Sequence, residues 1–94
     1  MDYIDSARWY KLAASNACID AFNRLSDIYY DGKGVNKDII KSHMWANLYI
    51  SNLKSEHEGR RLFELREKAM TSQQILQAQK MARECQARNF KSCD

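Results

Sequence analysis

A displacement of thirty-six residues lays this chain on itself. Asp2 falls on Asp38, Ile4 on Ile40, Ser6 on Ser42, Trp9 on Trp45, Leu12 on Leu48, Ser15 on Ser51 and Asn16 on Asn52, seven identities in fifteen positions. A period of roughly 20 to 50 residues marks stacked supersecondary units, so the chain should fold as successive copies of one small motif. The spacing within each copy is helical. Positions 6, 9, 10 and 13 share one face of a 3.6-residue helix, as do 42, 45, 46 and 49. The aromatic stripe Trp9, Tyr10, Trp45 and Tyr49 then reads as core packing and not as a platform for stacking bases.

Between the copies, Ala21, Phe22, Leu25, Ile28 and Tyr29 give the pattern of a second amphipathic helix. It runs into Tyr29-Tyr30-Asp31-Gly32-Lys33-Gly34-Val35-Asn36-Lys37-Asp38, which holds two of the three glycines. Gly32 and Gly34 can take the positive φ angles that end a helix and turn the chain, and Asp38 offers a carboxylate to the free N–H groups of the next helix. Each unit is therefore a helix A followed by a helix B. Beyond the second A helix, Ser55 with Glu58 reads as a capping box, and Leu62, Leu65 and Ala69 continue a weaker B-type stripe, weakened further by Gly59. Thr71 with Gln74 makes another capping box. It opens a last helix with Ile75, Ala78, Ala82 and Cys85 inward and Gln73, Gln77, Lys80 and Glu84 outward, as a helix capping the end of a stack requires.

Composition narrows the functions available. Ninety-four residues make one small domain of marginal stability. The net charge is +3, and its surplus is C-terminal, because residues 54–94 hold nine bases against six acids. Those bases alternate with Glu56, Glu58, Glu64, Glu67 and Glu84, a pattern of solvated helix faces more than of a phosphate-binding stripe. A small basic helical protein using this half to bind nucleic acid is the alternative, and a steep loss of affinity with salt would identify it. Cys18, Cys85 and Cys93 fit neither a zinc site nor a regular disulfide ladder. Cys18 and Cys85 read as small buried hydrophobes and Cys93 as part of a frayed tail. Asp31-Gly32-Lys33-Gly34 lacks the ligand spacing of a calcium loop and the ending of a P-loop, and no nucleophile stands at a fixed spacing from His43 or His57. No catalysis, metal or cofactor is expected. The first residues form no signal peptide and no run is long enough to span a membrane, which makes the cytoplasm the default location, with export possible if the chain is part of a larger protein.

Asp2, Trp9-Tyr10, Ala13-Ala14, Ala21, Leu25, Tyr29, Gly32-Lys33-Gly34-Val35, Asp38 and Trp45 together resemble the Sel1-like repeat family, a TPR-like group of helical hairpins. The similarity covers one unit and the A helix of the next, and residues 70–82 resemble the helix that often finishes bacterial members. Departures include Ser26 where the family usually has Gly, Ala17 or Cys18 where a helix-ending Gly is common, Ser6 and Ser42 for Ala, and Ala46 for the second aromatic. A cysteine-rich branch, with a disulfide in each repeat, is not matched. The resemblance implies an all-α superhelix, or solenoid, of about five helices: repeat 1 over 2–37, a degenerate repeat 2 over 38–70 and a C-terminal capping helix over 71–90. It further implies an adaptor or scaffold that binds another protein or peptide.

If Ser6, Trp9, Tyr10 and Ala13 face the B helix, the opposite faces of the two A helices carry Ile4, Arg8 and Lys11, then Ile40, His43, Met44 and Asn47. Isoleucines and a methionine edged by polar groups would form a partner-binding strip, unless loops bury the isoleucines. A second candidate is the open end, where helix A would expose Tyr3, Ala7 and Tyr10 for self-association. In this register, Trp9→Ala and Trp45→Ala should each cost on the order of 3–5 kcal/mol.

Overall fold

The structure, a computed structural model, describes residues 2–53 and 60–93. It contains five helices, α1 (Tyr3–Ser15), α2 (Ile19–Asp31), α3 (Ile39–Ser51), α4 (Arg60–Glu67) and α5 (Ser72–Ala87), with no strand among the described residues. The capping box expected at Ser55 and Glu58, and Gly59 after it, lie outside the described residues.

Helices α1 and α3 begin and end in the same way. Asp2 accepts from the Ile4 N–H, and Asp38 accepts from the N–H groups of Ile40 and Lys41. At the far ends, Asn16 donates its Nδ2–H to the Leu12 carbonyl and Asn52 donates to that of Leu48. Each cap satisfies backbone groups that the helix leaves unpaired, typically worth about 1 kcal/mol at an N-cap. The joint behaves as its glycines require. Gly32 closes α2 at φ +69°, Gly34 follows at φ +82°, and the Asp38 N–H reaches back to the Tyr29 carbonyl at 3.0 Å. At the α1–α2 corner, Ala17 takes φ +61° and does the work for which glycine is better suited.

The core forms around α2. Phe22 and Leu25 are buried together with Trp45, Met44 and Leu48 of α3 and Ala82 and Cys85 of α5. The Phe22 ring lies 5.4 Å from Trp45 and 4.9 Å from Phe90, centroid to centroid. Large side chains buried in this way each contribute roughly 1.5–3 kcal/mol. Helices α2 and α3 also meet through hydroxyls. Ser42 Oγ donates to the Ser26 carbonyl at 2.7 Å, and the two Oγ atoms are 3.3 Å apart, so small residues hold the helices close where alanine and glycine would have done so without hydrogen bonds.

Helix α5 is laid on α3 as its stripe predicts, with Ala78, Ala82 and Cys85 buried and the Thr71–Gln74 capping box formed. Helix α4 differs. Leu62, Leu65 and Ala69 are exposed, whereas Phe63, Arg66 and Glu67 turn inward. Polar contacts explain the rotation: Arg66 donates to Asp27 Oδ1 at 2.9 Å while its guanidinium lies 4.1 Å from the Tyr30 ring, and Glu67 meets His43. The cysteines also depart from expectation. Cys85 and Cys93 form a disulfide with Cα atoms 5.2 Å apart, and Cys18 is exposed at the N-cap of α2. The tail is thus a strap in place of a frayed end. Asn89, Phe90 and Ser92 take positive φ so that Phe90 reaches the core and Lys91 Nζ donates to the Ser15 carbonyl.

Candidate interaction surface on the first helix

The two A-type helices present the same residues to different surroundings. On α3, Trp45 and Leu48 are 2% and 1% exposed; on α1, Trp9 and Leu12 at the matching positions are 66% and 57% exposed. Helix α1 buries Ala7 and Ala14 instead. These small residues let it approach α2, with Lys11 Nζ 5.9 Å from the centre of the Tyr29 ring. Of the face expected to meet the B helix of its own hairpin, Tyr10 and Ala13 pack against the core and Ser6 is half-buried, but Trp9 lies in water and is not a core residue. Ala7, expected at an open end, is buried, while Tyr3 is exposed and Tyr10 is half-buried.

Trp9 and Leu12 lie beside Asp5 and Arg8, and the four line a shallow depression of about 340 Å³. Its lining joins two large apolar side chains to one charge of each sign. Ile4, exposed, lies beside the 34–36 loop.

The strip drawn from the sequence is not continuous. Ile4 and Arg8 are exposed and Lys11, Ile40 and Asn47 are half-buried, but His43 and Met44 are buried and unavailable as surface. Met44 belongs to the core cluster that α2, α3 and α5 share. His43 faces α4, stacked on Phe63 at 4.2 Å, with Nε2 2.8 Å from Glu67 Oε2, so the neutral tautomer donates from Nε2 to the carboxylate. Burial lowers the His43 pKa below its ordinary 6.5, and Glu67 only partly opposes this. Asn47 donates its Nδ2–H back to the His43 carbonyl.

No three His, Cys, Asp or Glu side chains among the described residues converge closely enough to hold a metal ion, and no described helix is long and apolar enough to cross a membrane. Compared with protein families, curated proteins and solved structures, the chain gives no match.

Proposed function

We propose that this protein is a non-catalytic interaction module built of helical hairpins in the manner of Sel1-like repeats, a short solenoid that binds another polypeptide. The face of α1 around Trp9 and Leu12 is the binding site. The observation that carries this reading is the exposure of a tryptophan and a leucine side by side on a helix whose counterpart has the same two residues fully covered. A tryptophan is the residue most often found at the energetic centre of a protein contact, and leaving one in water has no benefit to an isolated fold.

The test is affinity capture at moderate salt with the wild-type chain, a Trp9→Lys, Leu12→Lys variant shown by circular dichroism to be folded, and a Leu76→Lys control on the exposed side of α5. The reading requires a polypeptide that is retained by the wild type and the control and lost from the double variant. Retention of nucleic acid alone, released steeply as salt rises, would favour the basic C-terminal half instead.

A further inference from the structure

We propose that the Cys85–Cys93 bond is a redox latch: reduction by a dithiol frees the strap after α5, draws Phe90 off the core and opens the bundle at Phe22, while the helices stay in place. The latch stands apart from the interaction role of the α1 face.

The strap is made of two unlike parts. Its beginning is a regular helix ending, in which the Asn89 N–H donates to the Gln86 carbonyl at 3.0 Å and the Phe90 N–H to the Cys85 carbonyl at 2.9 Å, with Asn89 at φ +54°. Asparagine tolerates that conformation. Phe90 at φ +66° and Ser92 at φ +55° lack this ease, and for a bulky aromatic the left-handed region is a true outlier. The backbone from Phe90 onward is strained.

What holds it closed is unequal in strength. The Phe90 ring lies 4.9 Å from that of Phe22, and the side chain is half-buried. Lys91 Nζ donates to the Ser15 carbonyl and Arg88 Nε to the Lys91 carbonyl, but these residues are exposed or half-buried and water competes for both bonds. The covalent tie is the bond from Cys93 to the fully buried Cys85. Once it is cut, a half-buried ring and a half-buried thiol are set against strain at Phe90 and Ser92 and the backbone freedom that residues 90–93 regain, and release wins.

Exposure directs the chemistry, since Cys93 is half-buried and Cys85 fully covered. A thiolate of the dithiol attacks Cys93 Sγ, the S–S bond breaks, and Cys85 leaves as a thiolate that takes up a proton. The second sulfur of the dithiol then attacks the first, which releases Cys93 as a thiol and leaves the reductant as a cyclic disulfide. Two electrons and two protons pass to the protein. Cys18, exposed at the N-cap of α2, lies outside the pair and serves as the reference for an accessible thiol.

The test uses the full chain with 4-fluorophenylalanine at position 90, reduced with dithiothreitol and reoxidised with oxidised glutathione. On reduction the fluorine signal should move to the position it has in the urea-unfolded chain, while the helical circular dichroism is kept. Iodoacetamide should then modify Cys85 at a rate within about thirtyfold of that of Cys18, as local opening allows. Reoxidation should return the fluorine signal.

A fluorine signal that stays in place in a chain shown by mass to be reduced overturns the latch, because the strap then rests on packing. Loss of the helical signal on reduction overturns it as well, since the bond would then hold the whole fold. So does protection of Cys85 beyond that range, with modification appearing only in step with urea unfolding.

Discussion

Trp9 and Trp45 occupy matching places on two thirteen-residue helices, and Trp45 is buried against Phe22 while Trp9 is open to water. Their substitutions should separate accordingly. Trp45→Ala should cost about 3–5 kcal/mol, enough to unfold a domain of this size. Trp9→Ala should fall within about 0.5 kcal/mol of wild type. Urea unfolding followed by circular dichroism measures both, and a large loss for Trp9→Ala would contradict the exposure of Trp9.

Gly34 and Tyr3 are in similarly close relation. A β-carbon on Gly34 would lie 2.3 Å from the Tyr3 carbonyl oxygen, and the residue already holds φ +82°. Gly34→Ala must therefore shift the start of α1 as well as strain the turn, a loss of roughly 1–3 kcal/mol. At Gly32, φ +69°, a β-carbon would meet Lys37 Cβ at 3.1 Å and its backbone nitrogen at 3.2 Å, tight but well short of the overlap at Gly34, so Gly32→Ala should cost less. Melting temperatures in the order wild type, Gly32→Ala, Gly34→Ala would bear this out; the reverse order of the variants would not.

The Cys85–Cys93 bond spans eight residues of sequence and ties the strap that seats Phe90 against Phe22. Closing so short a loop contributes about 2.5 kcal/mol in the chain-entropy account. Cys93→Ser should lower the unfolding free energy by that order, and a reducing agent should do the same to the wild type but nothing to the variant. Identical melts with and without reductant would mean that the strap is held by packing alone.

His43 makes the fold sensitive to acid. Its pKa is lowered in the folded state, so between that value and the ordinary 6.5 the unfolded chain binds more protons than the folded one. Stability is therefore full above 6.5, falls as pH drops through 6.5, and levels off once the folded-state value has been passed. Urea midpoints from about pH 7.5 to about pH 5 should decline in the wild type, with a shallower decline for His43→Gln. Equal slopes would remove His43 as the cause.

What could be read from the sequence was local. The Asp38 cap, the two glycines and the Thr71–Gln74 box all lie within a few residues of the structure they determine, and each forms as expected. The exposed side of α1 was not legible in this way. Tyr10 and Ala13 pack against the core beside the buried Ala7 and Ala14, and Trp9, on the flank of that stripe, is left exposed although its mass marks it as core. The inward turn of α4 depends on Arg66 finding Asp27, thirty-nine residues away, and Glu67 finding His43, pairings that no periodicity reports. The disulfide escaped for a related reason: only the run of positive φ angles after α5 brings Cys93 back to Cys85.

The claim that the Trp9–Leu12 face of α1 is a docking site is tested most directly by photo-crosslinking. Benzoylphenylalanine would replace Trp9 in one protein and Leu76, exposed on α5, in another, and each would be irradiated in a lysate of the source cell. The account predicts a discrete polypeptide adduct from position 9 that is absent from position 76 and suppressed by excess unlabelled wild-type chain. An adduct from position 76 alone, or no adduct from position 9 that the wild type suppresses, would contradict it.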